Sequence, residues 1–263
     1  MIPKKNYTVK LPLVGGGRGE VTFPLDDGTF LLNPKSYAYC QDGLATWHNA
    51  DFMREERFAK AYDSGVSASP GKTVHWRIHV GIWAASRALQ IEGDFVECGV
   101  FTGDLSKAIC EYFDFGAIAD RQMYLLDTYE GMVEEQYIEE EINYLSATGR
   151  PTNAYPEDYF HSTRERFKCY SNVTLIKGKV PDTLQKVPSE KVAYLHIDMN
   201  CVIPEIAAGD FFWPKLSSGA FILLDDYGWG AHWPQKLAWD KFAKERSVMI
   251  LSLPTGQGLI VKP

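Results

Sequence analysis

From residue 93 onward, short apolar runs alternate with longer segments of helical periodicity. This alternation is typical of βαβ units, which build a parallel sheet covered by helices. The sequence therefore indicates an α/β fold with a mainly parallel sheet. We predict strands near 94–98, 122–127, 173–177, 191–198, 219–225, 247–252 and 257–262, and helices near 103–114, 131–147, 157–168, 203–213 and 234–245.

The connection between the last two predicted strands specifies the fold further. Only Pro254–Gly258 joins them, which is too short for a parallel crossover, so these strands should pair antiparallel. We predict a Rossmann-like, seven-stranded, mostly parallel sheet that ends in an antiparallel hairpin. This arrangement fits the methyltransferase type of Rossmann-like fold better than a dinucleotide dehydrogenase, although function has to be argued from the site.

The N-terminal part has a different character. Residues 1–40 are rich in Gly, Pro and short β-type runs, which predicts an arm with a hairpin and a turn at 26–28. The glycine run 15–19 lacks a following Lys-Ser/Thr, so a flexible turn is favoured over a phosphate-binding loop. Helices are expected near 44–63 and 73–90. We predict an N-terminal arm and helical elaboration over 1–72 and a cofactor-binding domain over 73–263.

Charge and composition limit the classes of partner. The formal net charge is −7 and no run of Lys or Arg interrupts it, which disfavours a nucleic-acid substrate. No apolar stretch approaches the ~20 residues of a membrane span, and the N-terminus lacks the apolar core of a signal peptide. We therefore expect a cytoplasmic protein with no membrane partner. The five scattered cysteines are expected to be reduced and mostly buried.

The end of the first predicted strand carries the clearest cofactor motif. Glu97-Cys-Gly99-Val-Phe-Thr102-Gly103 has the pattern E-x-G-x-x-x-G, where a pyrophosphate-binding loop would read G-x-G-x-x-G. Glycines let a backbone turn sharply and approach a ligand closely. The Glu97 carboxylate suits the ammonium and sulfonium groups of S-adenosylmethionine, but would repel a pyrophosphate. Taken alone, the loop fits a simple strand-to-helix turn equally well.

A second acid ends the next predicted strand, about thirty residues later. Asp127 and the adjoining Thr128 lie beside the first loop, where a carboxylate can accept both ribose hydroxyls of a nucleoside. The two signals together favour a cofactor site over two unrelated surface acids. Because NAD would use the second acid in the same way, Asp127 alone does not distinguish the cofactors.

Three more acids follow two later strands. Asp198 ends the strand near 191–198, and Asp225 and Asp226 end the strand near 219–225. Neighbouring parallel strands would bring these carboxylates together, where they repel one another unless protons or a cation intervene. A hard divalent ion such as Mg²⁺, which prefers oxygen ligands, would stabilise them. The alternative is that they cap helix starts.

With these motifs in order, residues 73–262 resemble the macrocin O-methyltransferase (TylF-type) family, which methylates sugar hydroxyls in antibiotic biosynthesis. The resemblance rests on Gly93–Val100, Leu126–Gly131, Gly178–Leu184, His196–Asn200 and Leu224–Gly228. It implies that Glu97, Gly99 and Asp127 serve S-adenosylmethionine, that Gly178 lies nearby, and that Asp198, Asp225 and Asp226 bind the metal. The predicted cofactor site comprises Glu97, Gly99, Thr102, Gly103, Asp127, Thr128, Gly178 and Asp198.

One position departs from the family. Asn200 stands where members commonly have an aspartate that is a proposed general base, and an amide cannot accept that proton. His232 is the natural replacement, since an imidazole with a pKa of ~6.5 accepts protons near neutrality, although a loop histidine is more often merely solvated. His196 lies within a strand and is expected to be a hydrogen-bonded core residue. The predicted catalytic residues are Asp198, Asn200 and His232.

The sequence as a whole predicts an S-adenosylmethionine-dependent O-methyltransferase assisted by Mg²⁺. Its acceptor would be a hydroxyl of a small molecule, such as a sugar or a glycosylated natural product. Two alternatives remain: a non-catalytic S-adenosylmethionine-binding protein, suggested by Asn200, and an NAD-dependent oxidoreductase, disfavoured by the missing G-x-G-x-x-G. A homo-oligomer is compatible with the sequence.

Overall fold

The computed structural model describes residues 5–12, 18–25, 38–149, 151–152 and 158–263. The chain divides into two compact units, residues 1–40 with 45–48 and residues 41–44 with 49–263. In the first unit, β1 (Lys5–Pro12) and β2 (Arg18–Leu25) pair antiparallel, which confirms the predicted hairpin. The turn predicted at 26–28 lies outside the described residues. The predicted division at residue 72 stays a prediction.

A seven-stranded sheet forms the centre of the second unit, in the order β10-β11-β9-β8-β5-β6-β7. All neighbours from β9 to β7 pair parallel, whereas β11 runs antiparallel to β9 and to β10. This confirms the predicted sheet and its terminal hairpin. Its strands are β5 (Asp94–Cys98), β6 (Met123–Asp127), β7 (Val173–Lys177), β8 (Val192–Ile197), β9 (Leu216–Leu224), β10 (Leu251–Ser252) and β11 (Gly258–Val261). Two shorter strands precede it, β3 (Tyr39–Gln41) and β4 (Leu44–Thr46).

Helices cover both faces of this sheet. They are α1 (Glu56–Gly65), α2 (His75–Ala88), α3 (Asp104–Phe113), α4 (Glu139–Thr148), α5 (Phe160–Phe167), α6 (Val202–Phe212) and α7 (Trp233–Glu245). One apolar core contains buried side chains of α1, α2 and α3, and the other contains those of α6 and α7. Every residue of the central strand β8 is buried, which explains why its sequence is almost continuously apolar. No helix in the described part of the chain is long and apolar enough to cross a membrane.

The predicted helix over 44–63 was wrong in its first part. Asp42 and Gly43 form a turn with φ of 51° and 70°, and β4 follows that turn directly. The Asn49 side chain then accepts a hydrogen bond from the Asp51 backbone N–H at 3.1 Å, which competes with helix formation. As a result, a short 3₁₀ turn at Asp51–Arg54 precedes α1.

The helix predicted over 131–147 also begins later than expected. It starts at Glu139, because the buried Glu141 side chain accepts the Ile138 backbone N–H at 3.0 Å and caps the helix there. Residues 131–138 instead form an extended segment with a short 3₁₀ turn at Glu134–Gln136. The thiols of Cys98, Cys110 and Cys201 are buried, whereas Cys40 and Cys169 are exposed.

Candidate active site

A cavity of about 320 Å³ opens at the carboxyl ends of β5, β6, β8 and β9. Ligands of open α/β sheets bind at this edge. Most of the predicted site residues line it: Glu97, Gly99, Asp127, Thr128, Gly178, Asp198, Asn200, Asp225 and Asp226. Three predicted residues lie outside this lining. Thr102 donates a hydrogen bond to Asp104 at 2.7 Å, Gly103 packs against Phe167, and His232 lines a neighbouring cavity.

The turn between β5 and α3 requires glycine for two reasons. Gly99 has a φ of +89°, which residues with a side chain rarely adopt, and a Cβ on it would clash with the Asp198 carbonyl oxygen. Asp127, at the end of the adjacent strand, holds this turn. Its Oδ2 accepts the backbone N–H groups of Val100 at 2.6 Å and Phe101 at 2.8 Å. The two motifs found in the sequence are therefore physically joined.

Glu97 belongs to a buried group of polar side chains. It is 4% exposed and accepts hydrogen bonds from Ser106 and from His196 Nδ1, the latter at 2.9 Å. The other ring nitrogen of His196 lies 3.7 Å from Asp225. Burial by itself lowers the pKa of His196, but the two carboxylates outweigh it and raise the pKa to about 10. The histidine is therefore a cation between Glu97 and Asp225, at the strand position predicted for a core residue.

A second cation, Arg77, lies among the clustered acids. Its Nη1 donates to Asp225 and lies 3.3 Å from Asp226, and its Nε donates to Asp42 at 2.9 Å. The guanidinium carbon lies 5.0 Å from the ring centre of Trp229. Because these groups surround Arg77 on several sides and its side chain is only 14% exposed, its position is tightly defined.

The three clustered carboxyl groups, Asp198, Asp225 and Asp226, have different pKa shifts. Burial raises the pKa of Asp225, but Arg77 and His196 more than compensate and hold it well below its usual range. Burial and the charges of the other two acids raise the pKa of Asp198 well above its usual range. Burial and the charge of Asp225 likewise raise the pKa of Asp226. The cluster therefore holds one firmly ionised carboxylate and two that resist ionisation.

The donor chemistry of this cluster suits Mg²⁺, but its arrangement does not form a metal site. Among the described residues, no group of three or more Asp, Glu, His or Cys side chains is placed to hold a metal ion. The Arg77 guanidinium is bound to two of the three predicted ligands, Asp225 and Asp226. Within the described part of the chain, the Asp198 carboxyl group receives a single long hydrogen bond, from the Asn200 amide at 3.3 Å. As folded, the acids hold an arginine where the sequence predicted a metal.

His232 is oriented by a chain of buried side chains. Its Nδ1 lies 2.9 Å from Gln235 Oε1, and the Gln235 amide nitrogen donates to Glu205 at 3.1 Å. Trp239 donates to the other Glu205 oxygen at 2.8 Å. Because Gln235 presents its oxygen to the ring, Nδ1 carries the proton and Nε2 carries the lone pair. Nε2 lies 3.8 Å from Asp226, at the edge of the main cavity.

Several residues of the site carried no signal in the sequence. Arg77 and Asp42 precede the first strand of the main sheet. The packing of α2 brings Arg77 to Asp225, and Asp42 accepts a hydrogen bond from Arg77. Lys72 lines the cavity and donates to the buried Asp104 at 3.0 Å. An acid in the first turn of a helix is an ordinary feature, so nothing in the sequence marked Asp104 as a partner for a lysine.

Comparison with known proteins identifies relatives of the same kind. Residues 81–250, more than half of the chain, match the macrocin-O-methyltransferase (TylF) family. One relative is the 8-demethyl-8-(2,3-dimethoxy-alpha-L-rhamnosyl)-tetracenomycin-C 4'-O-methyltransferase of Streptomyces olivaceus, 26% identical over 52% of this chain and 54% of the relative. Another is the mycinamicin III 3''-O-methyltransferase of Micromonospora griseorubida, 24% identical over 52% of this chain and 56% of the relative. The chain spans about half the length of these curated relatives.

Solved structures share the fold. The O-methyltransferase NovP superposes with a TM-score of 0.60 at 20% identity, covering 71% of this chain and 79% of NovP. The calicheamicin methyltransferase CalS11 superposes with a TM-score of 0.60 at 15% identity, covering 90% of this chain and 99% of CalS11. At these identities the structures support the Rossmann-like methyltransferase fold alone. The match over 81–250 decides the family: the chain belongs to the macrocin O-methyltransferases.

Proposed function

We propose that this protein is an S-adenosylmethionine-dependent O-methyltransferase that methylates a sugar hydroxyl of a glycosylated natural product. The observation that carries the proposal is the convergence of the five family motifs, those at Glu97, Asp127, Gly178, Asp198 and Asp225, on one cavity of about 320 Å³. The two curated relatives, named for methylation of a rhamnosyl-tetracenomycin and of mycinamicin III, support the choice of acceptor class.

The cavity offers partners for the charged and ribose parts of S-adenosylmethionine. Glu97 supplies negative charge for the ammonium and sulfonium groups, and the carboxyl group of Asp198 also lines the cavity. Both oxygens of Asp127 already accept the N–H groups of Val100, Phe101 and Tyr129, so Asp127 would hold the turn against the ribose rather than bind both ribose hydroxyls itself. The close approach of Gly99 and Gly178 to the cavity leaves room for a ligand against the backbone. When bound, this cofactor supplies an electrophilic methyl group. The protein's contribution is to align the acceptor and to accept its proton.

We assign proton acceptance to His232, in place of the family aspartate that Asn200 replaces. The support is its geometry, because Glu205 and Gln235 fix the tautomer that leaves a lone pair on Nε2. General bases of this kind contribute a factor of ~10²–10⁴ in rate. Asn200 contacts Asp198 and lines the cavity, which supports a role in which its amide hydrogen-bonds the acceptor without deprotonating it.

Mg²⁺ at Asp198, Asp225 and Asp226 remains our prediction from the sequence. Binding would require Arg77 to release Asp225 and Asp226, since its guanidinium occupies the space between them. The prediction can be tested by direct measurement of binding. Isothermal titration with Mg²⁺ should show weak binding to the wild-type protein and tighter binding to Arg77→Met. Equal affinity in both proteins would show that the arginine and the metal do not compete.

The function is tested by measuring formation of S-adenosylhomocysteine with a panel of rhamnosylated acceptors, with and without Mg²⁺. We expect turnover for the wild-type chain and a loss of about 10²-fold or more in kcat for His232→Ala. Binding of S-adenosylhomocysteine should be unchanged in that variant. Loss of cofactor binding together with turnover would instead indicate misfolding and would remove His232 from the mechanism.

A non-catalytic S-adenosylmethionine-binding protein is the second candidate, and the specific observation that favours it is Asn200. Cofactor binding without turnover on any acceptor would decide for it. In that case Asn200→Asp should restore methyl transfer, because it returns a carboxylate to the family position. An NAD-dependent oxidoreductase is not supported by the match to the macrocin O-methyltransferases.

A further inference from the structure

Lys72 is a cation of the cofactor cavity to which neither the family match nor the proposed mechanism gives a role. It precedes the matched residues 81–250 and lies in the connection between α1 and α2. Its side chain lines the cavity together with Glu97 and is 43% exposed, so a ligand can reach the ammonium group. S-adenosylmethionine carries a carboxylate as well as its ammonium and sulfonium groups. Glu97 suits the two cations of this cofactor, and Lys72 offers a partner for the anion.

One buried phenol fixes the backbone on both sides of Lys72. The Tyr62 hydroxyl donates to the Lys72 carbonyl oxygen at 2.6 Å and accepts the Val74 N–H at 3.2 Å. Tyr62 itself is 6% exposed and belongs to the apolar core that contains α1, α2 and α3. The Lys72 N–H also donates to the Ser69 carbonyl oxygen at 3.1 Å. The lysine is therefore presented to the cavity from a backbone of defined conformation.

The ammonium group of Lys72 is held against the start of α3. It donates to Asp104 Oδ2 at 3.0 Å, while Thr102 donates to the other oxygen of Asp104 at 2.7 Å. Two residues further along the same helix, Ser106 donates to Glu97. A cation and an anion that line the same cavity are therefore both bound to the first turn of one helix. This pairing suits an amino-acid zwitterion, with its ammonium toward Glu97 and its carboxylate toward Lys72.

Lys72 keeps its charge in this position. Burial lowers its pKa, but the charge and the hydrogen bond of Asp104, together with the charges of Asp198 and Asp225, outweigh burial and raise the pKa. An ammonium group has three N–H donors, and the bond to Asp104 uses one of them. Asp104 also has a second cation, since Arg166 Nη1 lies 3.5 Å from its Oδ1. A ligand carboxylate can therefore share the ammonium group without leaving Asp104 unpaired.

From these observations, and resting on the proposed function, we infer that Lys72 binds the carboxylate of the methionyl part of S-adenosylmethionine. Tyr62 and Asp104 position the lysine for this contact. Lys72 thereby makes the site selective for a cofactor that carries both charges of the amino acid. The decarboxylated cofactor, which keeps the ammonium and sulfonium groups, should bind about tenfold more weakly or worse, because it lacks one charge-assisted hydrogen bond.

The first experiment compares two cofactors that differ only in the carboxylate. Calorimetry measures the binding of S-adenosylmethionine and of decarboxylated S-adenosylmethionine to the wild-type protein and to Lys72→Met. The wild-type protein should prefer the carboxylated form about tenfold or more, and Lys72→Met should bind the two forms within about twofold of each other. Equal binding of both forms by the wild-type protein, or an unchanged preference in Lys72→Met, would overturn the inference. Failure of the wild-type protein to bind either form would instead count against the proposed function.

Two further variants separate recognition of the carboxylate from a merely structural ion pair. Lys60→Met is the matched control, since Lys60 also pairs with a carboxylate of α3, Glu111 at 2.8 Å, but is not among the described residues that line the cavity. It should keep the wild-type affinity for both forms of the cofactor. Lys72→Arg retains a cation and should retain the preference for the carboxylated form. Loss of the preference in Lys60→Met as well, or in Lys72→Arg, would contradict direct binding by the charge of Lys72.

Discussion

Asp127 and Asp225 stand at the ends of two parallel strands on the same edge of the sheet, yet different partners satisfy their carboxylates. Asp127 accepts backbone N–H groups from the turn after β5 and from Tyr129, all within 27 residues of it. Asp225 is paired with Arg77, which lies 148 residues away in the chain. Backbone donors are neutral and are present wherever a turn forms, whereas a cation has to be brought in by packing. The first kind of site is therefore local and the second depends on the whole fold.

The largest effect is expected from removing the distant cation. Arg77→Met leaves Asp225 and Asp226 without their shared partner in a buried position, and breaking a buried ion pair in this way costs about 3–5 kcal/mol. The free energy of unfolding, measured with urea at pH 7, should fall by that amount. Arg87→Met, on the exposed face of the same helix, is the control and should change stability by no more than about 0.5 kcal/mol. A similar loss in both variants would contradict the role of Arg77.

Glu205 shows what a buried acid does without a cation. It is 5% exposed, and its hydrogen-bond donors among the described residues are the neutral Gln235 and Trp239. Burial raises its pKa from 4.5 to about 7, whereas the pKa of Asp225 beside Arg77 is lowered. Between pH 4.5 and about pH 7, Glu205 therefore binds more protons in the folded protein than in the unfolded chain. The stability it contributes is therefore present below about pH 4.5 and is lost as the pH rises to about 7.

The second prediction concerns how the free energy of unfolding changes with pH, an effect of about 3 kcal/mol at Glu205. Glu205→Gln should remove a fall of about that size in the free energy of unfolding between pH 4.5 and pH 7.5. Urea denaturation of the variant and of the wild-type protein across this range gives the difference. Glu190→Gln, at a side chain that is 90% exposed, should keep the wild-type dependence. Parallel curves for Glu205→Gln and the wild-type protein would show that Glu205 ionises normally.

A smaller effect is expected at the locally satisfied acid. Asp127→Ala leaves the N–H groups of Val100, Phe101 and Tyr129 without their acceptor. These donors are neutral and lie at the edge of a cavity, where water can replace part of the carboxylate, so the cost should be about 1–3 kcal/mol. The same change should weaken S-adenosylhomocysteine about tenfold, measured by calorimetry. If Asp127→Ala were to destabilise the protein more than Arg77→Met, the comparison between the two acids would fail.

Much of the fold could be predicted because its signals are local. The order of strands and helices from residue 93 follows from hydrophobic periodicity, and the antiparallel hairpin follows from the short connection at Pro254–Gly258. The errors arose where a side chain decided the structure. Helices α1 and α4 begin later in the sequence than predicted, because the Asn49 and Glu141 side chains accept backbone N–H groups before each helix. Hydrophobic periodicity carries no signal for such hydrogen bonds. Most of the predicted site residues line one cavity at the strand ends, whereas the cations among them were not predicted.

The sequence by itself therefore determined the family, the sheet and the set of acids at its edge, because each depends on a pattern within a short window. Only the tertiary structure decided how those acids are compensated. It placed Arg77 and His196 among them and fixed the tautomer of His232 through Gln235. Each of these depends on side chains far apart in the chain, whose contacts arise only when helices pack on the sheet.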